Sequence, residues 1–179
     1  MTKNHANKTL AAVDGGALKK YQALVIGDFR LSRLIRFELI TLISGWIPGA
    51  LGLALRKVLY PYLFASVGKG VIFGTHLTIR HGSRITIGDN VVIDDNCLID
   101  AKGEDNLGIR IGNNVFIGRN SILSCKNGDI ELEDGVNIGF NAEIFSGGKV
   151  RVGAHTLIAA YAYIVGGEGY DLTLGDQPI

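Results

Sequence analysis

The 179-residue sequence predicts an all-β solenoid of about five three-sided coils, preceded by an α-helical segment. Three observations predict it. Five times over, an apolar residue recurs at three positions six apart: Val67/Phe73/Ile79, Ile87/Ile93/Ile99, Ile111/Ile117/Leu123, Leu132/Ile138/Ile144 and Val152/Ile158/Ile164. Between triplets the spacing exceeds six by two, six, three and two residues, always after the third member. One corner of the coil therefore takes every insertion. The third observation is the chemistry of the other two corners, where Gly and Asn recur in register.

A period of six fits neither a helix nor a simple alternating strand. It fits three short strands per turn, each inward residue stacking on its counterpart one coil later. Successive coils would then lie about 4.8 Å apart, the spacing of paired strands. Three residues after the first and second anchors come Gly70, Asn90, Asn96, Asn114, Asn120, Gly135 and Asn141. These residue types tolerate the left-handed backbone that a sharp corner requires. His76 and His155 occupy the same slot and read as corner residues too. Small residues follow the corner (Cys97, Ser121, Ala142, Ala162), where a narrow prism leaves little room.

Charge divides the chain. Residues 1–66 hold nine Lys/Arg against three Asp/Glu, and residues 67–179 hold nine against fourteen. An acidic solenoid argues against a nucleic-acid partner, while a basic leader suits an anionic membrane surface. Cys97 and Cys125 fall on different sides of the coil, so no disulfide is expected, in keeping with a reducing compartment. The organisation expected is a disordered tail over 1–16, a helical segment over 17–65 and the solenoid over 66–179.

Ala17 to Ser44 reads as one amphipathic helix, with Leu18, Tyr21, Val25, Phe29, Ile35, Leu39 and Ile43 on roughly one face. Leu39 to Leu55 carries no charge and is flanked by Arg33, Arg36, Arg56 and Lys57. It is shorter than the roughly 20 apolar residues a span takes, and Gly45, Pro48, Gly49 and Gly52 interrupt it. Two uses fit: a hairpin dipping into one leaflet with its basic residues at the head groups, or a cap over the first coil. Both can hold at once on different faces.

The tokens ITIGDNVVIDDN, IGNNVFIGRN and VNIGFNAEI resemble the hexapeptide-repeat acyltransferases over residues 67–179, and VNIGFNAEIF…VRVGAHTLIAAYAYIVGGEGYD is most similar to their sugar O-acetyltransferase branch. The resemblance implies a left-handed parallel β-helix, a homotrimer, and transfer of an acetyl or other acyl group from acyl-CoA to a hydroxyl or amine. The acceptor implied is a small-molecule or lipid-linked sugar in polysaccharide or lipopolysaccharide assembly. With the leader's basic character, it also implies a cytoplasmic enzyme peripheral to the inner face of the membrane, touching it through 17–57.

In that family a His acts as general base a few residues past the anchor matching Ile164. Here that place falls at or next to Gly169, and no His is present. The sequence also ends after DLTLGDQPI, short of another coil. Both departures suit an alternative, a non-catalytic or truncated relative acting as a membrane-associated scaffold. The catalytic candidates are His81, which sits at the inserted corner but about 19 Å, or four coils, from Gly169; Asn141, which matches an Asn that branch members use near the acceptor; and Asp171, which could orient a base or bind an acceptor hydroxyl. The longest insertion, Lys102 to Leu107, projects from the same corner and could line a cleft. His76 and His81 form an H-x4-H pair that resembles the γ-class carbonic anhydrases, but nothing between His5 and His76 supplies a third ligand. No metal is expected.

Overall fold

A computed structural model describes residues 16–167. All of the expected tail but Gly16, and Asp171, lie outside the described residues.

Three five-stranded parallel sheets form the faces of a prism. The first runs from Ser66–Val67 to Val150–Val152, the second from Ile72–Phe73 to Leu157–Ile158, and the third from Thr78–Arg80 to Tyr163–Gly166. Their register sets anchor on anchor. Val67, Ile87, Ile111, Leu132 and Val152 align on the first face. Phe73, Ile93, Ile117, Ile138 and Ile158 align on the second. Ile79, Ile99, Leu123, Ile144 and Ile164 align on the third. The anchors of the middle coils are fully buried, Ile93 among them. The structure is thus a parallel β-solenoid of about five coils after a helical segment.

Every first and second corner turns through a residue with φ between 53° and 71°: Gly70, His76, Asn90, Asn96, Asn114, Asn120, Gly135, Asn141, His155 and Tyr161. Tyr161 is the one that residue type did not mark. Its ring packs edge-on against Phe140 of the coil before, 5.5 Å between centroids, which offsets part of the left-handed cost. All insertions join the third sheet to the first, so the third corner is a single seam running the length of the prism.

The leader folds as α1 (Ala17–Tyr21), a π-helical turn (Gln22–Ile26), α2 (Leu31–Ser44) and α3 (Gly49–Leu59), then a single 3-10 turn (Tyr60–Leu63). The single helix expected over Ala17–Ser44 is therefore broken. Gly27 takes a left-handed φ of 71°, and Asp28 accepts a hydrogen bond from the Arg30 amide at 2.9 Å, which draws that amide out of a helical ladder. A Cβ at Gly27 would lie 2.5 Å from His81 Cδ2, so the break is also where the leader meets the first coil.

One face of the leader caps the solenoid by standing in for a preceding coil. In later coils the second-corner amide donates to the coil before it, as Asn96 does to Thr75 and Asn120 to Asp95. In the first coil the equivalent His76 amide donates to Gly45 of the leader at 2.8 Å. At the seam, Ala101 donates to Arg80, and the equivalent His81 amide donates to Val25 at 2.8 Å. Arg56 completes the substitution. Its Nε donates to Phe73 O at 2.9 Å, the carbonyl whose counterpart Ile93 O is served by the Gly74 amide. Its Nη1 donates to Ser44 O and Ile47 O, tying the α2–α3 turn down. Arg56 is 2 % exposed, which corrects its expected place at lipid head groups: its guanidinium is inside, satisfying three carbonyls. Below it, Ile40, Tyr60, Leu63 and Phe64 continue the apolar core, with Phe64 stacked on Phe73 at 5.6 Å.

Removing the guanidinium leaves two buried carbonyls, Phe73 O and Ser44 O, and the part-buried Ile47 O without that donor, so Arg56→Ala is expected to cost roughly 2–4 kcal/mol in urea unfolding. Tyr60 makes the opposite case. Its hydroxyl is fully buried with no hydrogen-bond partner among the described residues, so Tyr60→Phe is expected to be neutral or stabilising by up to about 1 kcal/mol in the same assay.

Candidate functional site

The seam is where the prism departs from regularity, and a groove of about 400 Å³ opens beside it on the first sheet. One wall is the insertion loop, ending in Leu107 and Gly108; the floor is the outward row of the first sheet, and Ser83 and Arg84 close one end. The loop is held in place. Arg84 donates to the carbonyls of Gly103, Glu104 and Asn106. Asn106 donates to Lys102 O and Gly128 O, and Asp129 accepts from the Leu107 and Gly108 amides at 2.7 and 2.9 Å. That leaves Leu107 standing 87 % exposed at the groove rim.

Along the floor, Arg110 and Lys149 both pair with Glu131. Hydrogen bonds from Arg110 and then Lys149 pull the Glu131 carboxyl down to about 2, so it is an anion at any physiological pH and a poor proton acceptor. Arg84 is different: among the described residues its guanidinium meets only carbonyls, so its charge is not cancelled by a carboxylate. Three cations and two carboxylates line the groove, leaving a positive balance that suits an anionic ligand.

Residue order carried a signal for this row. The positions just before the first anchors are Ser66, Thr86, Arg110, Glu131 and Arg151, and the strand register stacks Arg110, Glu131 and Arg151 directly on one another. Reading that column of the repeat finds them. Lys149 and Asp129 lie in seam turns of varying length, where no column exists to read.

The expected site residues lie apart. His81 is at the seam corner of the first coil, with φ 54°. Its Nδ1 faces Asp100 Oδ1 and its Nε2 faces the Ala23 carbonyl, each at 3.1 Å. Both ring nitrogens thus point at acceptors, and the ring bolts the π turn of the leader to the solenoid. Asn141 is at the second corner of the fourth coil, its amide donating to Arg119 O. His76 and His155 also occupy corners. The structure brings none of these to the groove. Cys97 and Cys125 are buried free thiols, each pushed up to about 11 chiefly by burial. Among the described residues, no three His, Cys, Asp or Glu side chains gather as a metal site requires.

Asp100 is the electrostatic centre of the His81 joint. Burial raises its carboxyl, but hydrogen bonds and charge from His81 and Lys102 outweigh that and hold it below its ordinary value of 3.8. A carboxylate with a depressed folded pKa stabilises the fold above its unfolded pKa and loses that contribution as pH falls through the folded one. Asp100→Asn is therefore expected to cost about 2 kcal/mol at neutral pH. The gap from the parent protein should close as pH drops below 3.8, as followed by thermal melts across an acid series.

No protein-family model matches the chain, and no curated protein matches it. Among solved structures, serine acetyltransferase isoform 3 from Entamoeba histolytica, in complex with cysteine, aligns over 98% of this chain at 15% sequence identity, with a TM-score of 0.26. This chain spans 63% of that protein's length.

Proposed function

We propose that the chain is an acyltransferase. In this reading it moves an acyl group, acetyl as the simplest case, from acyl-CoA to a hydroxyl or amine of a sugar or lipid-linked sugar in polysaccharide or lipopolysaccharide assembly, working as a homotrimer. The repeat tokens in the coils support the class. The observation that carries the reading is the seam groove, whose volume suits a slender ligand and whose net positive lining suits one bearing phosphates. Transfer requires the acceptor oxygen or nitrogen to attack the thioester carbonyl, the C–S bond to break, and the acceptor's proton to end on the sulfur. Arg84, Arg110 and Lys149 would hold the anionic end of the donor while Leu107 covers its apolar arm.

A second reading, a non-catalytic scaffold with the same fold, is favoured by one observation. Both ring nitrogens of His81 are engaged in the leader joint, and the two other described histidines sit at corners away from the groove.

Two measurements on the same protein separate them. Acetyl-CoA in about tenfold excess over its Kd is expected to raise the melting temperature by about 3 °C or more, and Arg110→Ala/Lys149→Ala to remove most of that shift. Free thiol released from acetyl-CoA when a panel of sugar hydroxyls and amines is offered supports transfer. Binding without thiol release supports the scaffold, and the absence of both a thermal shift and thiol release overturns the enzymatic reading.

A further inference from the structure

The leader is two-faced in an unusual sense. Helices on a protein surface turn polar residues outward, but the side of α2 opposite its buried Leu34, Ile40 and Ser44 is apolar: Leu31, Ile35, Leu39, Leu42 and Ile43 are all exposed, Leu42 at 70 %. The pattern continues past the turn. Trp46, Leu51 and Val58 are each more than 60 % exposed, Trp46 at 61 %, while the opposite side of α3 buries Gly52 and Arg56. The stripe visible in the sequence, through Ile35, Leu39 and Ile43, is this outward one, and the solenoid is capped by the other side. An exposed apolar surface of this extent marks an interaction site.

Charge identifies the partner. Among the described residues the leader has two acidic side chains, fewer than its cations: Asp28 pairs with Arg30 and Arg33, and Glu38 accepts from the Tyr21 hydroxyl. Among the described residues, Lys19, Lys20, Arg36 and Lys57 are exposed and form no ion pair. A broad apolar surface bordered by uncompensated cations, with a tryptophan whose indole N–H is already bonded to Leu42 O at 2.8 Å, fits the boundary of an anionic bilayer. No helix among the described residues is long and apolar enough to cross a membrane.

We propose that the outer face of α2 and α3 lies on an anionic lipid surface, with Leu39, Leu42, Ile43 and Trp46 reaching the acyl-chain boundary and Arg36 and Lys57 at the phosphates. Arg56, buried in the cap, takes no part. The solenoid then stands on the membrane through its first coil. This goes beyond the transferase reading and does not depend on it.

The chain holds a single tryptophan, so Trp46 reports the contact directly. In flotation, the full chain is expected to rise with vesicles of two parts phosphatidylcholine to one part phosphatidylglycerol. Trp46 emission should shift to the blue and be quenched by lipids brominated in the acyl chain. Leu39→Ser/Leu42→Ser, which leaves the capping face intact, is expected to weaken binding by more than about tenfold. Arg36→Glu/Lys57→Glu should weaken it on the order of tenfold or more, leaving it no stronger than binding to pure phosphatidylcholine. Circular dichroism establishes that both variants are folded. The proposal is overturned if the parent protein does not float with the anionic vesicles. It is equally overturned if the Ser variant floats as well as the parent, or if Trp46 is shielded without lipid in a concentration-dependent self-association.

Discussion

The left-handed corner is the constraint on which the rest of this structure depends. Only when the chain turns tightly at both regular corners do anchors six residues apart arrive above one another, and only then does each strand find its hydrogen-bonding partner one coil away. Gly and Asn make the turn at low cost. His76, His155 and Tyr161 make it because the neighbouring coils fix the register regardless. Stacking and hydrogen bonding are thus one cooperative unit, and each coil is stable only through its neighbours.

That dependence creates a problem at the first coil, which has no coil before it. The leader resolves it with unlike parts in equivalent places: the Gly45 and Val25 carbonyls receive the amides of His76 and His81, and the Arg56 guanidinium supplies the donor that Phe73 O would otherwise lack. A buried cation without a carboxylate is tolerable here because three carbonyl dipoles surround it. The same segment then has its opposite face free, and that face is apolar. Capping and surface docking are compatible because a helix has two sides.

The solenoid was legible because its determinants are periodic. Anchors, corners and the insertion seam each recur in a column, and the register places Ile93 on Ile117 on Ile138 as the spacing requires. The left-handed twist of the coils stays an implication of the resemblance. The leader was legible only in part, since it occurs once and offers no repeat to average over. Its break at Gly27 depends on contact with His81, more than fifty residues on, and the burial of Arg56 depends on carbonyls supplied by two other elements. Composition alone placed that arginine with its charged neighbour Lys57 at a surface. The groove was half legible: Arg110 and Glu131 sit in a readable column, whereas Arg84, Asp129 and Lys149 reach it from seam turns of unequal length. His81 carried a real signal, its place at the inserted corner, but residue type did not reveal that its ring is held by Asp100 and the leader.

The claim that the leader acts as a substitute coil is tested most directly by amide hydrogen exchange on the full chain. The amides of Gly68, Ile72, Gly74 and Thr78 bond the first coil to the second, as those of Gly112, Phe116, Gly118 and Ile122 bond the third to the fourth. If the cap works as described, the two sets exchange at comparable, slow rates. First-coil amides that exchange early, as those of an open sheet edge do, would contradict it.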